Sequence, residues 1–107
     1  MSYVTEVRDV NDMLGKLNKP AVVDFWAETC GPCIMLGHAL NDLAEEYKDE
    51  IAFLKVNVDE NEEQATTFGV MSLPTLIFFN EGKEVDRTVG IVPKELLKRK
   101  LGELAGQ

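Results

Sequence analysis

The sequence predicts an α/β sandwich, in which one mixed β-sheet carries helices on both faces. Two nearly continuous apolar runs of strand length, 20–27 and 51–58, are each followed by a helical pattern. This order is typical of parallel strands joined by right-handed crossovers. A third apolar run, 73–79, is followed by the turn segment 80–83 and a returning strand, which indicates an antiparallel hairpin.

The size of the chain limits it to one such sandwich. With 107 residues, of which 45% are hydrophobic, there is apolar material for a single core. We therefore expect a single domain over residues 1–107.

The N-terminal part predicts a weak edge strand over 5–8 and then a short helix. Asp9 or Asn11 can cap this helix, and its apolar side includes Leu17. Pro20 ends it, because a proline disfavours helical backbone in the residue before it. The strand over 20–27 follows.

The helix after that strand is amphipathic and begins at or near Pro32, a residue that suits a first helical turn. Its apolar residues recur at three- and four-residue spacing: Leu36, Leu40, Leu43 and Tyr47.

The remaining helices are predicted over 60–67, with Asp59 as the cap, and from Pro93 onward, with Leu96, Leu97, Leu101 and Leu104 facing inward. Lys98, Arg99 and Lys100 are expected near the C-terminal end of the last helix, where positive charge suits the helix dipole.

Cys30 and Cys33 are the only cysteines, and they form a Cys-Gly-Pro-Cys turn between a strand and a helix. Gly31 permits a sharp turn and Pro32 fixes its own φ, so both sulfurs can lie on one helical turn. Cys30 then precedes the helix N-terminus, where free N–H groups favour its thiolate, the form that attacks disulfides. Cys33 is expected to be more enclosed and to resolve the mixed disulfide by attacking the sulfur of Cys30.

Two other uses of the cysteines are weaker alternatives. A structural zinc site needs four ligands, whereas the chain offers two cysteines and His38, so a carboxylate would have to complete it. A structural disulfide closing so short a loop would remove little chain entropy.

Each of the first two apolar strands contains one charged residue, Asp24 in the first and Lys55 in the second. A buried carboxyl group is costly when ionised, so Asp24 should be neutral or paired. A plain buried ion pair between the two strands is one interpretation, and a role at the cysteines is the other.

The formal net charge of −8 argues against binding to nucleic acid or to an anionic membrane surface, both of which need clustered Lys and Arg. No apolar run approaches the roughly 20 residues that span a bilayer, and no signal-peptide pattern is found at residues 1–6. Two cysteines fit a reducing compartment, so we expect a cytoplasmic protein. The acidity is interpreted as solubility, with steering toward a basic partner as the alternative.

Five segments in the same order resemble the thioredoxin family over essentially the whole chain, and Cys-X-X-Cys motifs beside βαβ patterns are known from that family. They are 24–27, the Cys30–Cys33 motif, 55–59, 71–75, and the last hairpin with 80–82 and 89–90. The resemblance implies a thioredoxin fold, with a five-stranded sheet in the order 1-3-2-4-5 and four helices. It also implies a protein-disulfide reductase.

The resemblance gives roles to particular residues. It implies that Asp24 accepts and donates a proton near Cys33, that Lys55 influences its titration, and that Pro74 is cis and faces the cysteines. A substrate peptide would hydrogen-bond the backbone of residue 73, as in strand addition. The implied substrate surface comprises Trp26, Thr29, Gly31, Pro32, Met71, Ser72, Leu73, Thr75, Gly90 and Ile91. For Met71 and Leu73, core packing remains an alternative.

The resemblance further implies a monomer without metal or bound cofactor, whose redox centre is the Cys30–Cys33 disulfide. Its partners would be protein disulfides and an NADPH- or ferredoxin-dependent reductase.

Three positions depart from the family pattern. Thr29 replaces a tryptophan, Ile34 replaces a lysine, and His38 replaces a helix-kinking proline. We expect Thr29 to alter partner preference and His38 to be a surface residue able to contact Asp42. A carrier dedicated to one enzyme and a non-catalytic binding subunit therefore remain alternative functions.

Overall fold

The structure is a computed structural model that describes residues 2–106. In chain order its elements are β1 (Val4–Glu6), α1 (Val10–Leu14), β2 (Ala21–Trp26), α2 (Gly31–Tyr47), β3 (Ala52–Asn57), α3 (Glu62–Thr67), β4 (Thr75–Asn80), β5 (Lys83–Val89) and α4 (Lys94–Ala105).

The five strands form one mixed sheet in the order β1-β3-β2-β4-β5, which confirms the expected order. β1, β3 and β2 are parallel, whereas β4 is antiparallel to β2 and β5 to β4. The C-terminal ends of β2 and β3 therefore meet the start of β4 and the end of β5 at one edge. We call this edge, formed by residues 27–33, 58–61, 71–74 and 89–93, the cysteine edge.

The sheet separates two apolar layers, because successive side chains of a strand point to opposite faces. Val22 of β2 packs with α2 and α4, together with Leu40 and Leu101, while Val23 and Phe25 pack in the layer that includes α1. The central strand β2 is buried on both faces, as its unbroken apolar run predicts. Every helix residue predicted to face inward from α2 is buried or half-buried.

The N-terminal boundaries differ from the prediction. β1 covers Val4–Glu6 rather than 5–8. α1 is capped by Asp9, whose side chain accepts a hydrogen bond from the Asp12 N–H (2.9 Å), and not by Asn11. Leu17 lies outside the helix, yet it still packs against the layer that contains Val23.

The predicted cap of α3 is wrong. The helix begins after Asn61, and the Asp59 side chain does not cap it. Instead, the Asn57 side-chain oxygen accepts hydrogen bonds from the N–H groups of Asp59 (2.9 Å) and Glu60 (3.4 Å). This short turn delays the start of the helix to Glu62.

The predicted dipole interaction in α4 is also wrong. α4 continues to Ala105, so its last turn holds no basic residue and Lys98 lies well before the helix end. Lys100 is paired with Asp86 of β5 instead. At the β4–β5 hairpin the turn prediction is confirmed, with Glu81 and Gly82 both at positive φ (53° and 77°).

Candidate active site

Cys30 and Cys33 lie at the N-terminus of α2 and form a disulfide, with their Cα atoms 5.2 Å apart. Cys30 is the N-cap residue, and its Sγ accepts a hydrogen bond from the Cys33 N–H (3.2 Å). The two sulfur environments differ, because Cys33 is only 2% exposed whereas Cys30 is half-buried. Gly31 and Pro32 between them are exposed at the surface.

Asp24 lies in the middle of β2 and is 3% exposed. Among the described residues, its Oδ1 atom has no hydrogen-bond partner. Burial raises the pKa of this carboxyl from 3.8 to about 7, Lys55 acts in the opposite direction, and Glu6 adds to the increase. Asp24 is therefore a carboxyl group that exchanges a proton near neutral pH.

An open cavity of about 500 Å³ connects this carboxyl with the redox centre. Asp24 and Cys33 both border it, and so do Lys55 of β3 and His38 of α2. The cavity gives the buried carboxyl and the enclosed sulfur a common route to solvent.

The interpretation of Asp24 and Lys55 as a buried ion pair is wrong. They are register partners on neighbouring strands, but the Lys55 side chain is 37% exposed and its Nζ atom lies 4.0 Å from Glu6 Oε1. The same ammonium lies 5.2 Å from the centre of the Trp26 ring. No ion pair joins Asp24 to Lys55 within residues 2–106, so the lysine acts on the carboxyl only through its field.

Pro74 follows a cis peptide bond at the start of β4. Its carbonyl accepts a hydrogen bond from the Gly90 N–H (2.7 Å), and the Thr75 hydroxyl donates to the Ser72 carbonyl (2.6 Å). Gly90 has a φ of 80°, a conformation that favours glycine. These contacts hold segments 71–74 and 89–91 side by side at the cysteine edge.

The exposure of the predicted substrate surface is uneven. Met71 is 95% exposed and Ile91 51%, which excludes core packing for Met71. Leu73 is half-buried and packs against the apolar layer of Val23 and Phe25, so its side chain is partly structural. Trp26 is half-buried, and its indole N–H has no partner among residues 2–106.

Comparison with known proteins agrees with this geometry. The thioredoxin family profile matches residues 2–103. The chain is 44% identical to thioredoxin 2 of Chlorobaculum tepidum over 103 residues, covering 94% of each chain. It is 43% identical to the thioredoxin of Chlorobaculum thiosulfatiphilum over 105 residues, covering 98% of this chain and 91% of that one. The crystal structure of thioredoxin NaTrxh from Nicotiana alata superposes with a TM-score of 0.86 at 37% identity, covering 96% and 93% of the two chains.

This chain belongs to the thioredoxin family. It is accordingly a protein-disulfide oxidoreductase, since thioredoxins catalyse that exchange and the cysteine pair is present. It has the thioredoxin fold, and thioredoxins act on protein disulfides and receive electrons from a reductase.

The three departures from the thioredoxin pattern are all at the surface. Thr29 is exposed directly before Cys30, and Ile34 is 46% exposed on the first turns of α2. His38 is exposed as expected, but no ion pair joins it to Asp42 within residues 2–106. It borders the Asp24 cavity instead.

Sequence reasoning missed Glu6, which acts on the redox centre from β1. It pairs with Lys55 and raises the pKa of Asp24. The strand order implied by the thioredoxin resemblance contained the necessary signal, because parallel pairing of β1 with β3 places Glu6 opposite Lys55.

The zinc alternative finds no support in the part of the chain that is described. Residues 2–106 contain no group of three or more His, Cys, Asp or Glu side chains that could hold a metal ion.

In the same residues, no helix has the length and apolarity needed to cross a membrane.

Proposed function

We propose that the chain reduces protein disulfides with Cys30 as the nucleophile and Cys33 as the resolving thiol. The unequal burial of the two sulfurs supports this assignment. A partner can reach the half-buried Cys30, whereas Cys33, at 2% exposure, can attack only a sulfur already bonded to Cys30.

The cycle is balanced within the two disulfides. The Cys30 thiolate attacks one sulfur of the substrate disulfide, that bond breaks, and the other substrate sulfur leaves as a thiolate. The Cys33 thiolate then attacks Cys30 Sγ and expels the second substrate thiolate. The substrate gains two electrons and two protons, and the Cys30–Cys33 disulfide re-forms. Donation from the Cys33 N–H stabilises negative charge on Cys30 Sγ.

Asp24 is the proton acceptor for the Cys33 thiol in this proposal. Both groups border one cavity, and a pKa near 7 suits an acid–base group that works at neutral pH. The cavity then provides the path by which the proton leaves for the solvent. Lys55 keeps the carboxyl ionisable by opposing the effect of burial.

The substrate is proposed to bind as an extended segment along residues 71–74. The backbone of residue 73 would pair with it, while Met71 and Ile91 provide apolar contact. Pro74, Gly90 and the loop that carries Thr29 would complete this surface.

The finer identity of the partners is also a proposal. We infer a cytoplasmic monomer that is reduced by an NADPH- or ferredoxin-dependent reductase and carries no cofactor. A pair of thiols used for exchange suits a reducing compartment. Sedimentation of the purified chain tests the monomeric state, and cell fractionation tests the cytoplasmic location.

A carrier dedicated to one enzyme is the second candidate, and Thr29 favours it. The residue is exposed immediately before the nucleophile, so it contacts any partner that docks there. A small hydroxyl in place of an indole removes apolar docking area.

Insulin-disulfide reduction tests the proposal, with Cys30→Ser and Cys33→Ser as a matched pair of variants. We expect Cys30→Ser to lose turnover and form no adduct. Cys33→Ser should lose turnover but accumulate a mixed disulfide through Cys30, visible by mass spectrometry. Equal activity of the wild type and Cys30→Ser would overturn the proposal, and an adduct through Cys33 alone would reverse the roles.

A further inference from the structure

The charges of this molecule are unevenly distributed around the cysteines. The chain has 11 Lys and Arg residues, yet none lies in the stretches 20–47 and 56–82. Those stretches supply three of the four segments of the cysteine edge, 27–33, 58–61 and 71–74. A partner docking over Cys30 therefore meets no cation on these segments.

After β3 and in the segment that precedes Cys30, the edge is acidic. Glu28, Asp59 and Glu60 are exposed, and none of them forms an ion pair with another residue in the range 2–106. The segments that carry these residues follow neighbouring strand ends. Trp26 at the end of β2 is the register partner of Asn57 at the end of β3, and the Val58 N–H donates to the Trp26 carbonyl (2.9 Å). We call these three residues the acidic flank.

On the β4 side the same edge is apolar and uncharged. Its exposed side chains are Met71 (95%), Val89 (57%) and Ile91 (51%), which we call the apolar flank. Because β3 and β4 pair with opposite sides of β2, Asp59 and Glu60 lie on the opposite side from the apolar flank, and Glu28 lies between them in the segment that carries Cys30. Arg8 follows β1 and Lys94 begins α4, outside the two flanks, and Lys55, which borders the cavity beside Cys33, is paired with Glu6.

We propose that the preferred substrates are protein disulfides with Lys or Arg on the side that covers the acidic flank and an apolar residue on the other. The inference rests on the proposed function and specifies its substrate class. The cysteine pair and the apolar flank define where the partner docks, and the three unneutralised carboxylates define its charge and its orientation.

The expected size of the preference follows from Coulomb's law. One substrate charge about 10 Å from each of three carboxylates, in water, changes the encounter rate about fivefold at 0.01 M salt and about twofold at 0.15 M. A lysine peptide should therefore react roughly twentyfold faster than its glutamate counterpart at the lower ionic strength. At 0.15 M the ratio should fall to roughly threefold.

The test uses the full reduced chain and three peptides that share one disulfide and differ only in a flanking Lys, Gln or Glu. Second-order rate constants are measured at both ionic strengths. The flank variant combines Glu28→Gln, Asp59→Asn and Glu60→Gln. The control variant combines Glu46→Gln, Asp49→Asn and Glu50→Gln, exposed residues at the C-terminal end of α2 and in the following turn, near the opposite edge.

The two variants change the same residue types and the same net charge, so only the position of the charges differs. The readout is the Lys-to-Glu ratio, because a change in thiolate reactivity affects all three peptides equally. We expect the ratio to fall to about one in the flank variant and to persist in the control. If either triple variant fails to fold, its single substitutions are compared instead.

A ratio near one in the wild type, or an equal loss in both variants, would overturn the inference. If the wild type still reduced the Gln peptide in either case, the proposed function would stand. If the wild type reduced none of the three peptides, the proposed function itself would fail, and the inference with it.

Discussion

Replacing Asp24 with Asn should abolish a loss of stability that the wild type undergoes as pH rises from about 4 to about 7. The carboxyl is 3% exposed, its Oδ1 has no described partner, and its pKa is raised from 3.8 to about 7, chiefly by burial. The amide of Asn has a similar shape but does not ionise.

The direction follows from proton binding in the two states. Between pH 4 and pH 7 the unfolded chain has released the Asp24 proton while the folded chain retains it. The folded state therefore binds more protons, and the free energy of unfolding falls as pH rises. This decrease in the free energy of unfolding is absent below the pKa of Asp24 in the unfolded chain, 3.8, and complete above about pH 7. At about 1.4 kcal/mol per pKa unit it reaches roughly 4 kcal/mol, of which some 2–3 kcal/mol develops between pH 5 and pH 8.

The assay is urea unfolding of the oxidised chain from pH 5 to pH 8, so that the cysteines do not titrate. Wild type, Asp24→Asn and the exposed control Asp49→Asn are compared. Relative to wild type, the free energy of unfolding of Asp24→Asn should rise across this range by roughly 2–3 kcal/mol, whereas the control should remain parallel. Parallel curves for Asp24→Asn and wild type would refute the assignment of a raised pKa to this carboxyl.

Three further outcomes are expected. Lys55→Met should raise the pKa of Asp24 further, because the ammonium opposes the effect of burial; an unchanged carbon-13 titration of the carboxyl would contradict this. Gln64→Ala should lower the free energy of unfolding by about 1–3 kcal/mol in urea, since the buried Gln64 Oε1 accepts the Val10 N–H (2.8 Å); a cost equal to that of the exposed Glu63→Ala would contradict it. Thr29→Trp should change the relative rates with different reductases while insulin reduction persists, and unchanged selectivity would count against a role in partner choice.

The sheet was predictable because its central strands are buried on both faces. Such strands have nearly continuous apolar sequences, as found over 20–27 and 51–58, and β2 and β3 lie within these two runs. The strand order came from the family resemblance, since periodicity within a strand does not identify its neighbour. The helix α2 was also predictable, because its apolar residues, including Leu36 and Leu40, recur on one face.

The errors arise where a side chain forms a contact that local pattern does not encode. The Asn57 side chain accepts the N–H groups of Asp59 and Glu60 and forms a turn before α3, and Lys100 pairs with Asp86 across the fold. No sequence pattern singled out Gln64, yet its side chain is buried and accepts the N–H of Val10 at the start of α1. The Lys100 and Gln64 contacts depend on tertiary proximity, whereas the Asn57 turn is local.

The candidate site was predicted in type but only partly in geometry. A single charge in each apolar strand indicated Asp24 and Lys55 as candidate site residues, and a buried ion pair was one of two interpretations. Their actual relation depends on Glu6, which competes for the lysine from an edge strand. The exposure of Met71 could not be predicted either, because the apolar residues of its segment continue into the buried strand β4.

The division between buried and exposed residues at the cysteine edge has an evolutionary consequence. Asp24 on the central strand and Cys33 on α2 are both buried, so substitutions there change the free energy of unfolding. Thr29, Met71 and Ile91 project into solvent, where most replacements change the free energy of unfolding by less than about 0.5 kcal/mol. The exposed positions beside Cys30 can therefore vary in evolution at little cost in stability, whereas the buried positions beneath them cannot.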